Sequence, residues 1–514
     1  MSAQFSSSRM SRAPWPNRVN RPNVLARMIA ATLSASLVLG LGGCATPMLN
    51  STVSVPDQFA AAAAATETAS EVAWWERYGD PVLSDLVRVA ARENRDVRIA
   101  AERVRAARAG ETISRSWLLP SLGATGSQGN ERSDYSGRAQ EAVPDVESTS
   151  GGLSISWEID LSGRLRAGAA AAAADRMATE DQARGVRLLV LSDVASNYFT
   201  LVGALQQLET VRAISAAQDE TLRLVTARHR VGLASTFDVE RARTQAATAR
   251  AAIPPLETLA AASRHRIAVL IGSQAADAAM VKPWSGTASV PDIQPGQPAE
   301  ILERRPDLLA SRAQLQAANF RRQQAAAEWF PRLFVGALFG RQSVDVNGID
   351  LGAARFSNVS SLLTMPIFDW GRTRSINEVA GSAQKEALLR YEDAIVRALE
   401  DVENALVSLH DQRQRTEALQ GAAASADAAL GHAQSLYNRG QIDLLPLLDV
   451  QRTRLSVRVS ANESNTRLML ATVELFKALG GGWQAFEPAA VPKTAAATPP
   501  PHSETLASTT EDHS

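Results

Sequence analysis

Few residues of this 514-residue chain are placed to do covalent chemistry. Its six histidines (His229, His265, His410, His432, His502 and His513) show neither an H-E-x-x-H spacing nor a Cys/His pattern that would hold a metal. No P-loop, no G-x-S-x-G elbow and no dinucleotide fingerprint following a strand is found. Carboxylate pairs such as Asp85 and Glu93 fall on expected helices, where a solvated face accounts for them. The lone cysteine, Cys44, excludes disulfide frameworks and Cys-based zinc sites, because both need partners. What remains is non-covalent: Leu445 and Asp449 stand one helical turn apart on one face, and Gly232 and Gly440 recur in matching turns. The chain is therefore read as a non-enzyme, and the energy for any work must come from a partner.

Charged residues make up 21% of the chain, the formal net charge is −1 and aromatics are 5%, so no global field attracts nucleic acid. The N-terminus carries more information. Arg9, Arg12, Arg18, Arg21 and Arg27 precede an apolar stretch over residues 28–42, which is shorter than the roughly 20 residues a helix needs to cross a bilayer and so reads as a signal segment. It runs into Leu41-Gly42-Gly43-Cys44, which resembles the lipobox of bacterial lipoproteins. That resemblance implies an S-diacylglycerol on the Cys44 thiol and an N-acyl chain, such as palmitate, on the new N-terminus, with no other cofactor. A small-residue cleavage site that happens to contain a cysteine is the plainer alternative. Ala45 is uncharged, unlike the aspartate that retains such lipoproteins at the inner membrane, which favours the outer one.

Stepping along the mature chain, one plan is written twice. Asn94-Arg95-Asp96-Val97 recurs as Arg305-Pro306-Asp307-Leu308, and Pro120-Ser121-Leu122 as Pro331-Arg332-Leu333, both at an offset of 211. Gly163-Arg164 matches Gly371-Arg372 and Gly232 matches Gly440 at an offset of 208. Each half reads as helix, strand, loop, strand, very long helix, tight turn, helix. Leu153, Ile155, Trp157, Ile159 and Leu161 alternate with polar residues, as a half-buried strand requires. Val359, Ser361, Leu363, Met365 and Ile367 share the face of its counterpart, and Leu333, Val335, Ala337 and Phe339 mark the strand before it. The strands are expected to be about 10 to 12 residues long, enough to cross a bilayer at a tilt, with linkers over about 130–150 and 343–355. No proline interrupts residues 162–230, where Val194, Tyr198, Leu201, Leu205 and Leu208 step by four and three like a coiled-coil seam. Ile395, Leu399, Val402, Leu406 and Leu409 repeat it in a second helix over about 372–437, and each helix would be roughly 100 Å long. Shorter helices are expected over about 81–116, 236–272, 299–329 and 444–479, the second kinked at Pro254-Pro255.

Strands in a membrane must close into a barrel, and the smallest such barrels have about eight. Four strands in one chain cannot close, so several chains must pool theirs; two would give eight and three twelve, and the count does not choose. The doubled layout, the lipobox, the stretch Trp157-Glu158-Ile159-Asp160-Leu161-Ser162-Gly163-Arg164 and the stretch Pro366-Ile367-Phe368-Asp369-Trp370-Gly371-Arg372 together resemble the outer membrane factor family of TolC/OprM type, in its NodT-like lipoprotein branch, over about residues 44–485. The resemblance implies a mixed α/β membrane protein: a homotrimer with a twelve-stranded β-barrel in the outer membrane, continuing into a twelve-helix α-barrel through the periplasm, ringed by an equatorial domain. The domains would be a signal peptide at 1–43, a lipidated and equatorial segment at 44–80, efflux repeats at 81–280 and 281–485, and a disordered tail at 486–514. Further equatorial parts would fall at about 273–298 and 480–490.

The resemblance also gives the turns a role. Gly232 and Gly440 suit the left-handed position that ends a helix, and Ser235 and Asp443 suit the N-caps that follow. Val231, Gly232, Leu233 and Gly440 are similar to the sites that meet a periplasmic adaptor (membrane fusion) protein. Leu445 and Asp449 match pore-gate positions, and Asp238 and Tyr437 match closed-state contacts, while Ile442 replaces the arginine of that lock. Implied partners are two further copies of the chain, the adaptor, an inner-membrane pump of the resistance-nodulation-division type and outer-membrane lipid. The function implied is the outer-membrane channel of a tripartite efflux system, a passive duct for small molecules such as drugs or toxic compounds, as in antibiotic resistance. A periplasmic coiled-coil scaffold or adaptor, and the exit duct of type I protein secretion, are the alternatives.

Overall fold

The computed structural model describes residues 46–60, 72–132, 144–283, 289–291, 293 and 296–487. Cys44, the signal segment 1–43 and the tail beyond Glu487 lie outside the described residues. The described residues divide into two compact units: 46–48, 120–165 and 322–377 in the first, and those within 49–119, 166–321 and 378–487 in the second.

The first unit is built on one antiparallel sheet of four strands in the order β1-β2-β3-β4. These are β1 Ser121–Glu131, β2 Val146–Ile159, β3 Arg332–Val346 and β4 Ile349–Thr364. The period-two alternation read from β2 is carried across the sheet by the register: Leu122 pairs with Ile155, Ile155 with Ala337 and Ala337 with Val359. One face is thus mainly apolar, whereas serines and glycines such as Ser121, Ser156, Gly336 and Ser360 line the other.

Several boundaries differ from the sequence reading. Strands β2, β3 and β4 hold 14, 15 and 16 residues, longer than expected. The linker expected over 343–355 is strand on both sides of a two-residue turn. Asn347 (φ 53°) and Gly348 (φ 80°) both take the left-handed region, as the tightest hairpin turn demands. Polar residues such as Ser343 and Asp345 concealed it, and a register shift between those two marks the local irregularity. Met365 and Ile367 fall outside β4, which stops at Thr364 just before Pro366, a residue with no N–H for the ladder. The strand-to-helix joints are capped. Asp369 accepts from the amides of Gly371 (3.1 Å) and Thr373 (2.8 Å), and Asp160 accepts from that of Leu165 (3.2 Å).

The helices are α1 Pro81–Glu93, α2 Arg95–Ser116, α3 Arg164–Arg230, α4 Thr236–Ala251, α5 Ile253–Leu270, α6 Pro298–Arg304, α7 Pro306–Ala326, α8 Arg372–Asn438 and α9 Leu444–Ala478. The two long ones, α3 and α8, each hold 67 residues. Three of the four shorter helices expected are each two. The first breaks at Asn94, whose side chain caps α2 by accepting from the amides of Asp96 (2.8 Å) and Val97 (3.3 Å). The third breaks at Arg305, which is half-buried and gathers Asp307 (2.7 Å), Asp401 (2.9 Å) and the carbonyl of Ala478 (3.2 Å). The second restarts at Ile253, so that Pro254-Pro255 sit in the first turn, where a missing N–H costs nothing. Only α9, with 35 residues, is unbroken.

The second unit packs around one large apolar cluster. Both seams enter it, with Val194, Tyr198 and Leu201 of α3 and Ile395, Val402 and Leu409 of α8 buried together. Segments far apart in sequence join them: Trp74 stacks on Phe476 (centroids 5.0 Å apart) and Trp75 on Phe486 (5.5 Å). The buried carboxylate of Asp80 caps α1 through the amides of Val82 (2.8 Å) and Leu83 (3.0 Å) and also accepts from the Tyr198 hydroxyl. This gathers described parts of the segments expected to form an equatorial domain. Phe486 and Glu487 are ordered into it, Glu487 by ion pairing with Arg184 (2.7 Å), so the packed chain reaches slightly past 485.

Candidate functional site

The residues singled out for function lie at two turns of the second unit, α3 to α4 and α8 to α9. Both are built alike. The amide of Gly232 donates to the carbonyl of His229 (2.9 Å) and that of Leu233 to Arg228 (2.8 Å). The amide of Gly440 likewise donates to Tyr437 (3.0 Å) and that of Gln441 to Leu436 (2.9 Å). This is the Schellman pattern of helix termination, which needs a left-handed residue at its centre; Gly232 has φ 76° and Gly440 φ 71°.

The helices that leave these turns begin differently. At the first, the Ser235 hydroxyl accepts from the Asp238 amide (3.1 Å) while the Asp238 carboxylate accepts from the Ser235 amide (3.0 Å), a complete capping box. The Ser235 hydroxyl also donates to that carboxylate (2.7 Å), and this bond, followed by the one from the Ser235 amide, holds the Asp238 carboxyl below its ordinary pKa. At the second, Asp443 occupies the N-cap position in extended backbone but makes no side-chain cap bond.

An apolar cluster ties the turns together: Val225 of α3, Val239 and Ala242 of α4, Ala433 and Tyr437 of α8, and Leu444, Leu447 and Leu448 of α9. Ile442, where the resemblance expects arginine, packs against this cluster as an apolar side chain. Asp238 and Tyr437 are not hydrogen-bonded to one another within the chain. The carboxylate serves the cap, and Tyr437 is buried with the Arg228 guanidinium 5.1 Å from its ring centre.

Three large apolar side chains on the first turn stay outside the cluster: Val231, Leu233 and Phe237 are 70%, 69% and 66% exposed. On α9, Leu444, Leu447 and Leu448 face inward while Leu445, one residue on from the first of them, is 52% exposed. Asp449 lies on the same exposed face and pairs with Arg452 at 2.7 Å. Arg228, Phe237 and Arg452 were not singled out from the sequence. The three-residue spacing of Asp449 and Arg452 on a helix was the signal available for that pair.

Exposed apolar side chains beside a surface ion pair suit non-covalent contact. The comparisons agree in kind. The model of the outer membrane efflux protein family matches residues 86–273 and 298–481. The pyoverdine export outer membrane protein OpmQ of Pseudomonas aeruginosa is 33% identical over 465 residues, covering 88% of this chain and 96% of that protein. Outer membrane protein OprJ of the same organism is 31% identical, covering 88% and 95%. Among solved structures, the outer-membrane channel OprN superposes with a TM-score of 0.77 at 27% identity over 86% of this chain and 100% of that one. The class is that of efflux channels of the outer membrane. This chain belongs to the outer membrane efflux protein family.

Proposed function

We propose that this protein is the exit duct of a tripartite efflux system, assembled as a homotrimer that pools four strands per chain into a closed twelve-stranded barrel. The observation that carries the trimer is the strand order: within one chain β1 and β4 are edges. An open edge in lipid leaves amides and carbonyls without partners at a cost of several kcal/mol each, so β4 of one copy must pair with β1 of the next. Matching landmarks at offsets of 208 and 211, long helices of equal length and two successive matches of one family model support two repeats per chain. The twelve-helix periplasmic barrel follows from the same symmetry. A lipid on Cys44 would add a second attachment to the membrane.

Val231, Gly232 and Leu233, with Gly440 of the second turn, form the surface for the periplasmic adaptor; the exposed apolar side chains there fit a partner that buries them. Leu445 and Asp449 face the pore, where three-fold symmetry makes an apolar ring and a carboxylate ring that attracts cations. The closed state rests on Leu445 packing rather than on an Asp238–Tyr437 bond, since Asp238 is engaged by Ser235 and Ile442 supplies no charge. The inner-membrane pump, of resistance-nodulation-division type, supplies energy and selects the cargo, small molecules such as drugs or toxic compounds. A coiled-coil scaffold would not need the sheet.

The full-length protein in detergent should show the mass of three copies. In planar bilayers it should conduct poorly until gated, and Leu445→Ala and Asp449→Ala should raise or alter conductance. A stable monomer, or unchanged conductance in both variants, overturns the reading.

A further inference from the structure

The mainly apolar face of the sheet changes character abruptly along its length. Successive rows on that face read Ile159 and Leu333 with Leu363; Trp157 and Val335 with Ser361; Leu122, Ile155 and Ala337 with Val359; Ala124, Leu153 and Phe339 with Ser357. The next row is Gly126, Gly151, Arg341 and Arg355. The two arginines are thus direct cross-strand neighbours, on strands whose register is unbroken to that point. Beyond them the face turns mainly polar, with Gln128, Thr149 and Ser343 beside Ala353.

Like charges directly opposite on a sheet repel, and neither guanidinium has an ion pair or hydrogen bond among the described residues. Among the described residues, the edge strand of a neighbouring copy offers no counter-charge either. The residues β1 would present on this face are Leu122, Ala124, Gly126, Gln128 and Asn130, none of them acidic, so no register of β1 against β4 brings a carboxylate beside Arg355. The nearest acids on the same face of the sheet are Glu147, Asp345 and Asp350, which share one row two rows further on, about 13 Å along the strand.

The position of the row along the strands matters. Every strand end that leads to a helix (Ser121, Ile159, Arg332, Thr364) lies at one end of the sheet, and both hairpin connections lie at the other. From Ile159 to Gly151 is about 26 Å along the strand, or about 20 Å of height at a tilt of about 40°, close to the apolar band of about 25 Å in membrane barrels. The arginines therefore stand at the edge of that band on the hairpin side. An arginine on the lipid face is costly at mid-membrane and far less so near the interface. The other half of the row is open. A methyl group at Gly151 would meet nothing within 4 Å, so the described residues leave space beside the arginines there.

We propose that Arg341 and Arg355 bind the phosphate of a phosphorylated glycolipid, lipid A, in the outer leaflet of the outer membrane; the proposal rests on the barrel reading above. Two guanidinium forks side by side match the oxygens of a phosphate monoester, and the phosphate in turn relieves their mutual repulsion.

The test is native mass spectrometry of the full-length protein in detergent, titrated with diphosphoryl lipid A and, separately, with phosphatidylglycerol. The wild type should retain lipid A in preference to phosphatidylglycerol. Arg341→Gln with Arg355→Gln should weaken lipid A at least about tenfold, the equivalent of one charge-assisted hydrogen bond. Lysine at both positions should keep part of the binding, because charge remains while the fork is lost. Gly151→Glu, which leaves both arginines in place but adds an internal counter-ion, should also weaken it. Equal lipid A binding by the glutamine variant overturns the proposal, and equal wild-type binding of phosphatidylglycerol overturns the choice of lipid A. Trimer mass and bilayer conductance are measured on the same preparations. Their loss in the wild type sinks the barrel reading, whereas intact channels without arginine-dependent binding sink this inference alone.

Discussion

Asp238 shows how a single carboxylate is claimed by its nearest neighbour. Its bonds to Ser235 form within the first turn of α4, so they outcompete a partner that must come from another helix. Because those bonds hold the folded pKa below its ordinary value, the capping contribution is complete above the unfolded value of about 3.9 and is lost as pH falls through the lower folded one. Ser235→Ala should cost about 1 kcal/mol of local stability, and hydrogen exchange of the amides of residues 236–240 should speed up in that variant at neutral pH and in the wild type only below about pH 4. Asp449 carries its own counter-charge. With Arg452 at 2.7 Å on an exposed face, the pair contributes little to stability, about 0–1 kcal/mol, yet it lowers the net charge that a ring of three would present. Arg452→Ala should therefore leave the melting temperature within a degree or two and raise the preference for cations, read as a shift in reversal potential under a salt gradient.

At the scale of elements, the glycines separate two kinds of demand. Gly232 and Gly480 both have positive φ (76° and 73°), but a methyl group at Gly232 meets open space while one at Gly480 would lie 2.9 Å from Cα of Arg305. Gly232→Ala should cost only the left-handed backbone penalty, about 1–2 kcal/mol, whereas Gly480→Ala should cost clearly more because it also pushes the ion-paired Arg305 out of place. Denaturant midpoints of the two variants in one detergent would show the difference, and equal values would contradict it. Helix α3 makes a similar demand at Gly203, where a methyl group would overlap Thr466 of α9. Gly203→Val should wedge these helices apart and destabilise the unit more than Ala→Val at an exposed position such as Ala217. The sequence marked the breaks at Asn94 and Arg305 as matching landmarks, but it did not reveal them as helix ends. The Asn94 cap is local, its partner being the Asp96 amide two residues on, and its residue type could have marked it; the Asp401 partner of Arg305 becomes visible only once the chain is folded.

For the whole molecule, the question is how a sheet with two edges lives in lipid. If β4 becomes an interior strand on assembly, Val359→Pro removes a ladder bond that the barrel needs. The trimer should then fail to form or should dissociate at lower temperature in semi-native electrophoresis, while the helical content measured by circular dichroism is kept. A variant that assembles like the wild type would argue against β4 as a pairing edge.

Much of the fold is local and was therefore legible. Alternation over 153–161, the absence of proline through 162–230, the seams of α3 and α8 and the glycine at each turn are consequences of short-range sterics and of which side chains share a face. The Asn347-Gly348 turn was equally local, and reading 343–355 by its polarity instead of by its turn chemistry concealed it. What tertiary structure decided was partnership: Ile442 inside an apolar cluster, Trp74 against Phe476, Asp80 with Tyr198, and Arg184 with Glu487. A helix or strand is set by residues within a few positions of one another, but a partner hundreds of positions away is set by how whole elements pack and pair. No window of sequence contains that distance.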